Sequence, residues 1–295
     1  MPPPAPSQTL KIAAGDPEDS EMGVVGNAFK EYIEEKTKGD VEIQCFYSGS
    51  LGDESECLRN VQKGTLPMRW PHSQPRAFRE KTRPADPALP VSNIDEVVTG
   101  TNRAPAELLN SYATKSGFRI LTWTYTDFRY ISNAKRPITK MADMQGLKFR
   151  VPQSAVLIAA YKAFGGSPTP ISWAETFTAL QQGVVDGQCY GYIGFKANKF
   201  NEANQKYLTE VHYTYQLQPL VISERVFKKM TPEMQKLLID AGKYAQEKVL
   251  KYQIEQADAA KKYLIDNGLQ VSQLEDEDVW KKPRWKRSGL KWPTS

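Results

Sequence analysis

Residues 141–188 read MADMQGLKFRVPQSAVLIAAYKAFGGSPTPISWAETFTALQQGVVDGQ, and this stretch decides the fold of the chain. It places Arg150 in an apolar, strand-like run, followed by proline-punctuated turns, an amphipathic helical pattern and the acidic turn 185–187. An arginine can hold a carboxylate with two parallel charge-assisted hydrogen bonds, which a lysine cannot reproduce. Because an arginine can also form a structural ion pair, both interpretations of Arg150 stay open.

Outside this block the chain alternates between strand-like and helix-like patterns. Apolar runs predict strands at 10–14, 41–47, 118–125 and 211–222. Helical periodicity predicts helices from Ser20 to about 39, from the turn 48–52 to 63, over most of 94–116, at 155–164, at 173–182 and from Thr231 to about 267. Ser20 is a favourable N-cap, and Pro232 lies in the favoured first turn. Alternation of this kind predicts α/β sheets with helices on both faces. We see no internal repeat.

Length and composition are compatible with one large core or two moderate ones, since the chain has 295 residues, 40% hydrophobic and 25% charged. No apolar run reaches the roughly 18 residues that a membrane-spanning helix needs. The start, MPPPAPSQTLKIAAG, lacks the charged and apolar regions of a signal peptide, so we interpret residues 1–9 as a tail or the remnant of a trimmed leader. A Cys45–Cys57 bridge and free thiols are both compatible with three cysteines.

Residues for catalysis or metal binding are scarce. The chain has two histidines, His72 and His212, and no Cys/His cluster with metal-ligand spacing. The glycines at 49–52 form neither a nucleophile elbow nor a phosphate loop. The sequence therefore predicts a binding protein rather than an enzyme, with no cofactor and no metal.

The block at 141–188 resembles the second lobe of the solute-binding proteins of TRAP (tripartite ATP-independent periplasmic) transporters, in the dicarboxylate-receptor-like family. Similarity extends from Leu10 to about Lys281 with one gap. The resemblance implies a two-lobe periplasmic binding protein fold with a ligand cleft between the lobes and a long spine helix starting at Thr231. It places the first lobe at 10–127 and 216–255 and the second at 128–215 and 256–295.

The same resemblance implies a function. The protein is expected to be a periplasmic monomer that binds a small organic carboxylate, selects its closed form on binding, and delivers the ligand to TRAP permease subunits in the membrane. A stand-alone sensor for a signalling partner is the alternative. No nucleic-acid partner is expected.

Site residues follow from the resemblance position by position. Arg150 matches the arginine that clamps the ligand carboxylate, and Arg129 matches a second basic position, with a surface ion pair as its alternative. Gln153 matches a polar ligand contact. Trp173 matches an aromatic ligand contact, with core packing as its alternative. First-lobe groups near Gly15, Asp16 and Glu18 are expected to reach the other end of the ligand on closure.

The expected ligand depends on the aromatic residues. Tyr190 stands where the sialic-acid branch of the family has asparagine, which argues against a polyhydroxylated sugar acid. Further aromatic side chains suggest a flatter, more apolar pocket: Trp173, Tyr192, Phe195, Tyr213 and Tyr215. Because aromatic rings offer large stacking area, an aromatic or branched 2-oxo or amino acid is the predicted ligand.

Two segments differ in composition from the rest of the chain. Residues 67–91 carry a charge of +3 and six prolines, and residues 283–295 carry +4. The chain as a whole has +5, so its remainder carries −2. A basic, proline-rich stretch can belong to a nucleic-acid-binding arm, but we favour a different explanation.

We hypothesise that both segments are frameshifted translations. Codons can be chosen for residues 70–90 that also encode GHIANLAPFEKKLGLLTLPYL, a peptide with helix-like and strand-like patterning that resembles family sequence. Codons for residues 281–295 can likewise encode KAAVEEVWPKMADF, an amphipathic segment. The hypothesis predicts that residues 67–91 cannot complete a sheet ladder and that both segments pack irregularly.

Overall fold

A computed structural model describes residues 7–71 and 104–281. The elements before the first gap are β1 (Gln8–Ala13), α1 (Glu21–Lys36), β2 (Val41–Phe46), α2 (Glu54–Lys63) and β3 (Met68–Arg69). Those from residue 104 to 210 are α3 (Ala104–Lys115), β4 (Phe118–Phe128), β5 (Tyr130–Asn133), β6 (Lys148–Val151), α4 (Ala155–Ala163), β7 (Ser167–Pro170), α5 (Trp173–Gln181), β8 (Gly187–Tyr190), α6 (Tyr192–Ala197) and β9 (Tyr207–Glu210). The last are β10 (Tyr215–Ser223), α7 (Glu224–Phe227), α8 (Pro232–Asp266), β11 (Gln270–Gln273) and α9 (Glu277–Lys281).

The strands form two mixed sheets. The first has the order β2-β1-β3-β10-β4, with β1 parallel to β2 and β3, and β10 antiparallel to β3. The second has the order β11-β9-β5-β8-β6-β7, in which β6 runs parallel to β7 and β8 while β5 runs antiparallel to β8 and β9. The predicted α/β class, with sheets and helices alternating along the chain, is confirmed.

Local capping chemistry sets the helix starts. The Ser20 hydroxyl accepts a hydrogen bond from the Met22 amide at 3.2 Å, so the predicted N-cap of α1 is confirmed. The Asp53 carboxylate caps α2 by accepting from the Ser55 amide at 2.7 Å, and α2 ends at Gly64 with φ +82°. Pro232 is the first residue of the 35-residue α8, where its missing amide hydrogen costs nothing.

The described residues fall into two compact units. One contains the residues up to 71, 104–126 and 217–256, and the other contains 127–216 and 257–281. The chain passes from one unit to the other within β4, near the start of β10 and within α8.

Each unit has its own buried core. A core cluster of the first unit joins α2, α3 and the strands β1, β4 and β10: Ala13, Cys57, Val61, Leu66, Ala113, Phe118 and Val221. The second unit buries a larger cluster around β5, β6 and α4: Ile131, Ile138, Met141, Met144, Leu147, Phe149, Val151, Tyr161, Phe164, Cys189, Val211 and Trp280. All three cysteines are free thiols.

Two expectations about chain boundaries are corrected. The strand β1 begins at Gln8, before the predicted start at Leu10, because residues 8 and 9 pair in register with β2. The strand predicted at 211–222 begins later, at Tyr215. An apolar run predicts burial rather than ladder pairing, so it extends past the true strand end.

The expectation that residues 67–91 cannot complete a sheet ladder is wrong at the start of the segment. Met68 and Arg69 form β3 between β1 and β10, because both residues supply the backbone donors and acceptors that a ladder needs. The Trp70 amide also donates to the Ala13 carbonyl at 2.9 Å. The Arg69 and Trp70 side chains are nevertheless buried, and among the described residues Arg69 Nε, Arg69 Nη1 and Trp70 Nε1 have no hydrogen-bond partner. Residues 72–91 and 283–295, where the rest of the frameshift hypothesis applies, lie outside the described residues.

Candidate functional site

One edge of the second sheet collects the two arginines singled out in the sequence. Arg150 lies near the C-terminal end of β6, which runs parallel to β8, so that the end of β8 at Tyr190 lies on the same edge. Because β5 runs antiparallel to β8, its beginning lies on that edge too, and Arg129 immediately precedes it. Ligands of α/β proteins commonly bind beyond the carboxyl ends of the strands.

Arg150 is held in place by its neighbours. Its side chain is 3% exposed, and Nε donates to the Ile171 carbonyl at 3.0 Å. The guanidinium carbon lies 5.2 Å from the centroid of the half-buried Trp173 ring. A cation over an aromatic face is attracted by the ring quadrupole. The Ile171 carbonyl and the Trp173 ring therefore help to orient the plane of the guanidinium.

Trp173 in turn rests on a buried aromatic cluster. Its ring stacks on Tyr190 with centroids 5.2 Å apart and an interplanar angle of 28°. Phe200 meets Trp173 edge-on at 5.7 Å, and Phe195 meets Phe200 at 5.7 Å. Tyr190 and Phe195 are fully buried. Trp173 thus lies at the exposed side of this cluster, while Tyr190 and Phe195 lie on its buried side.

Gly194 in α6 allows this packing. A Cβ atom at position 194 would collide with the Tyr190 ring. The glycine lets the ring of Tyr190 lie directly against the backbone of α6, beneath Trp173.

Arg129 lies in a different environment from Arg150. Its guanidinium is buried, and Nη1 donates to the Cys189 sulfur at 3.1 Å and to the Cys189 carbonyl at 3.5 Å. Among the described residues, no carboxylate forms an ion pair with Arg129. The expected alternative of a surface ion pair is therefore wrong for the part of the chain described here, because the side chain is buried among a thiol and phenols.

Tyr213 belongs to the same group. Its hydroxyl lies 3.4 Å from the Tyr161 hydroxyl, and both tyrosines pack in the same core cluster as Cys189. Burial, with the nearby Cys189 sulfur adding to it, raises the pKa of the Tyr161 phenol well above its usual value, and burial likewise raises that of Tyr213.

Tyr192 is committed to a polar contact within the second unit. Its hydroxyl donates to Glu210 Oε1 at 2.8 Å, and Lys261 Nζ donates to the same oxygen at 2.7 Å. Burial raises the pKa of the Tyr192 phenol, and the Glu210 charge adds to the effect. Tyr215 is buried and packs edge-on against Phe128 at 5.2 Å.

Four further site residues were predicted from the sequence: Gln153, Gly15, Asp16 and Glu18. Gln153 is exposed, in the turn between β6 and α4. Three belong to the first unit: Gly15, Asp16 and Glu18. Asp16 is buried and its carbonyl accepts from the Ser48 amide at 3.0 Å, whereas Glu18 is exposed and accepts from the Asn27 amide side chain at 3.4 Å.

Two residues of chemical interest were missed in the sequence. Cys189 contacts Arg129, and nothing local marks it, because the two positions meet only through the pairing of β5 with β8. Asp127 is buried with φ +114°, and its carboxylate accepts from the Phe128 amide at 2.7 Å and the Tyr130 hydroxyl at 3.2 Å. The TDFRY run that contains Asp127 gave no signal for the unusual backbone.

Within residues 7–71 and 104–281, the structure has no group of three or more metal-ligating side chains and no helix long and apolar enough to cross a membrane.

Comparison with known proteins identifies the family. Residues 13–283 match the family described as bacterial extracellular solute-binding protein, family 7. The chain belongs to this family, whose members are the solute receptors of TRAP transporters. They are periplasmic binding proteins and not enzymes.

Individual family members show how far the similarity extends. A solute-binding protein of Verminephrobacter eiseniae is 34% identical over 81% of this chain and 71% of its own length. The 2,3-diketo-L-gulonate-binding periplasmic protein YiaO of Escherichia coli is 26% identical over 81% of this chain and 73% of its own length. A TRAP periplasmic solute-binding protein from a Polaromonas species, solved with bound D-erythronate, has a TM-score of 0.89 and 30% identity, covering 95% of this chain and 93% of the other.

Proposed function

We propose that this family 7 receptor binds a small organic monocarboxylate at Arg150 and delivers it, as an extracytoplasmic monomer, to the membrane subunits of a TRAP permease. The observation that carries the proposal is the pre-oriented guanidinium of Arg150 at the edge of the second sheet, held by the Ile171 carbonyl and the Trp173 ring. A fixed guanidinium loses little conformational entropy when it takes up a carboxylate, so it gives high affinity per contact.

The family match supports the transport role. The Polaromonas relative is a TRAP receptor, and membership of the same family extends the role to this chain. The relatives named above give no support to the alternative of a stand-alone sensor.

The choice of ligand rests on two lines of support. D-erythronate and 2,3-diketo-L-gulonate, which the relatives bind, each carry a single carboxylate on a short, oxygen-rich chain. In this chain, Trp173 is half-buried while Tyr190, Tyr192 and Phe195 are buried, so fewer rings are exposed to a ligand than the sequence suggested. We therefore favour a small aliphatic monocarboxylate over the aromatic or branched 2-oxo or amino acid that the sequence alone indicated.

The two ligand classes are separated by a direct experiment. Native mass spectrometry of the purified protein identifies retained ligand, and calorimetry then compares D-erythronate with phenylpyruvate. In the Trp173→Ala variant, the loss of stacking area weakens the binding of an aromatic acid more than the binding of erythronate. Preferential binding of phenylpyruvate by the unmodified protein, with a larger loss in Trp173→Ala, would restore the aromatic-ligand hypothesis.

Arg150 itself is tested by substitution. We expect Arg150→Ala and Arg150→Lys to weaken binding of the identified carboxylate by about 2–5 kcal/mol, the range for truncating one side of a buried charge pair. The reason is that the ligand carboxylate is left desolvated without its two-pronged partner. Arg59→Lys, at an exposed arginine of α2 in the first unit, is the matched control and leaves affinity unchanged. Near-native affinity in both Arg150 variants removes Arg150 from the site.

A further inference from the structure

A buried cluster in the second unit joins one guanidinium, one thiol and two phenols. Arg129 Nη1 lies 3.1 Å from the Cys189 sulfur, and Tyr161 and Tyr213 pack in the same core cluster as Cys189. Cys189 is 1% exposed, Tyr161 is 0% exposed and Arg129 is 6% exposed. We define these four residues as the thiol cluster.

Charge balance in the thiol cluster is unusual. A guanidinium stays protonated in proteins, and a buried charge without a counter-charge costs several kcal/mol. Among the described residues, no carboxylate pairs with Arg129. Cys189, whose sulfur lies 3.1 Å from Arg129 Nη1, is the most acidic of the other members of the cluster, since the remaining two are phenols with a higher intrinsic pKa.

The hydrogen-bond geometry favours an ionised sulfur. Arg129 approaches the sulfur as a donor, and the two tyrosine hydroxyls can donate to it as well. Burial acts to raise the pKa of the Cys189 thiol, but the Arg129 charge and the hydrogen bonds from Tyr161, Arg129 and Tyr213 outweigh burial and lower it below its usual value. The other cysteines differ, because burial raises the pKa of both Cys45 and Cys57.

We propose that Cys189 is a thiolate paired with Arg129, and that this pair cancels the Arg129 charge. Cys189 is thereby a positioning and specificity-determining residue, which holds Arg129 and makes that arginine a poor partner for a second ligand carboxylate. The specificity half of the proposal rests on the proposed function of Arg150. The thiolate half does not, since it concerns only residues of the protein.

The thiolate is tested first, without any ligand. The ultraviolet absorbance of thiolate is recorded at neutral pH for the unmodified protein, Cys189→Ser and Cys57→Ser. We expect one thiolate per chain, lost in Cys189→Ser, retained in Cys57→Ser and lost on acidification. Tyr213→Phe, which removes one donor to the sulfur, shifts the acid titration of the signal to higher pH. Absence of a thiolate signal that Cys189→Ser removes overturns the proposal, whatever the ligand is.

Specificity is tested with a matched pair of ligands. D-erythronate and meso-tartrate share their carbon skeleton and hydroxyl configuration, but the second has a carboxylate in place of the terminal hydroxymethyl group. In Cys189→Ser the Arg129 charge is uncompensated, so the affinity for meso-tartrate relative to D-erythronate rises by about tenfold or more. An unchanged affinity ratio, with a thiolate present in the unmodified protein, overturns the specificity half and leaves the ion pair standing.

The pH dependence of relative ligand affinity distinguishes an effect of the Cys189 charge from an effect of its side-chain shape. Groups that face the sulfur or Arg129 are Tyr161 from α4, Tyr213 from the turn before β10 and Tyr190 from β8. Burial raises the pKa of the Tyr161 and Tyr213 phenols well above their usual value, so both stay neutral while Cys189 titrates. As pH falls and Cys189 is protonated, the relative affinity for meso-tartrate rises in the unmodified protein and stays flat in Cys189→Ser. Parallel profiles in the two proteins contradict the proposal. Failure of both proteins to bind either acid contradicts the proposed function, while the absorbance result stands by itself.

Discussion

At the scale of single residues, the second unit contains buried polar groups that are held by specific neighbours. Arg150 is held by a carbonyl and a ring, Arg129 contacts a thiol, and Asp127 accepts hydrogen bonds from Phe128 and Tyr130. Buried ionisable groups are costly unless they are paired, and they concentrate at functional positions. Positions of this kind are where a substitution has the clearest effect.

Asp127 gives the residue-scale prediction. Burial raises the pKa of its carboxyl to about 6, from the usual 3.8, even though hydrogen bonds from the Phe128 amide, the Tyr130 hydroxyl and the Tyr192 amide act to lower it. The folded state therefore keeps a proton that the unfolded state has lost between about pH 4 and pH 6. The stabilisation that protonated Asp127 contributes is fully present below pH 3.8, the usual pKa of the group. It is lost as pH rises through about 6, and the free energy of unfolding falls by about 3 kcal/mol in total.

We expect Asp127→Asn to remove this loss. The free energy of unfolding, measured by urea titration from pH 4 to pH 7, then falls less steeply with pH in the variant than in the unmodified protein. Asparagine also tolerates the positive φ at this position better than most residues. Asp143→Asn is the control, because backbone hydrogen bonds from Thr139 and Lys140 outweigh burial there and lower the Asp143 pKa, so its effect has the opposite sign. Identical pH slopes for Asp127→Asn and the unmodified protein would contradict the prediction.

At the scale of elements, short segments support the site. The six-residue helix α6 packs through Gly194 against the Tyr190 ring of β8, and that ring supports Trp173 at the start of α5. Three elements therefore act on the Arg150 guanidinium through the Trp173 ring. A displacement of one of these elements shifts the next one, because they are in direct contact.

Gly194→Ala tests this chain of contacts. Its Cβ would overlap the Tyr190 ring, so the ring and Trp173 must shift. We expect a loss of about 1–3 kcal/mol in unfolding free energy, typical of overpacking, together with weaker carboxylate binding. Differential scanning calorimetry and isothermal titration calorimetry measure the two effects.

Gly146→Ala is the matched control for that experiment. Its Cβ would meet nothing within 4 Å, so the substitution costs only the strain of alanine at φ +77°, about 1–2 kcal/mol. Ligand affinity stays unchanged in this control. Native affinity in Gly194→Ala as well would show that the Tyr190 ring does not transmit its position to Arg150.

At the scale of the whole molecule, the second unit holds the candidate site and the first unit contains buried polar atoms that lower stability. The second unit holds Arg150, the aromatic support and the thiol cluster. The first unit includes Arg69 of β3 and the adjacent Trp70, which bury nitrogen atoms that have no hydrogen-bond partner within residues 7–71 and 104–281. Each unpaired buried group costs about 1–3 kcal/mol, against a total stability of roughly 5–15 kcal/mol for a domain.

The frameshift hypothesis supplies the whole-molecule prediction. We expect a variant with GHIANLAPFEKKLGLLTLPYL at 70–90 and KAAVEEVWPKMADF in place of 281–295 to melt at a higher temperature and bind ligand more tightly than the chain as given. The reason is that the replacement restores apolar patterning and removes the buried Trp70 indole, whose nitrogen has no partner among the described residues. Thermal melting and calorimetry on both proteins make the comparison. Equal melting temperatures and equal affinities would show that the two segments affect neither stability nor binding. Sequencing the encoding DNA tests directly whether the segments arose by frameshift.

The sequence by itself determined the α/β class, most helix starts and the family. Ser20, Pro232 and the alternating apolar runs act through local backbone geometry and periodic burial, and these forces operate within a few residues along the chain. The block around Arg150 also carries enough family pattern to identify the receptor class. The local signal was weakest at strand ends, as the early start of β1 shows.

Only the tertiary structure decided which side chains meet. Cys189 contacts Arg129 because β5 pairs with β8, and Tyr190 lies beneath Trp173 because α6 presents a glycine to it. The positive φ of Asp127 and its buried carboxyl likewise depend on Tyr130 and Tyr192. Burial, ionisation and charge cancellation are set by neighbours that are distant in sequence, so no local pattern encodes them.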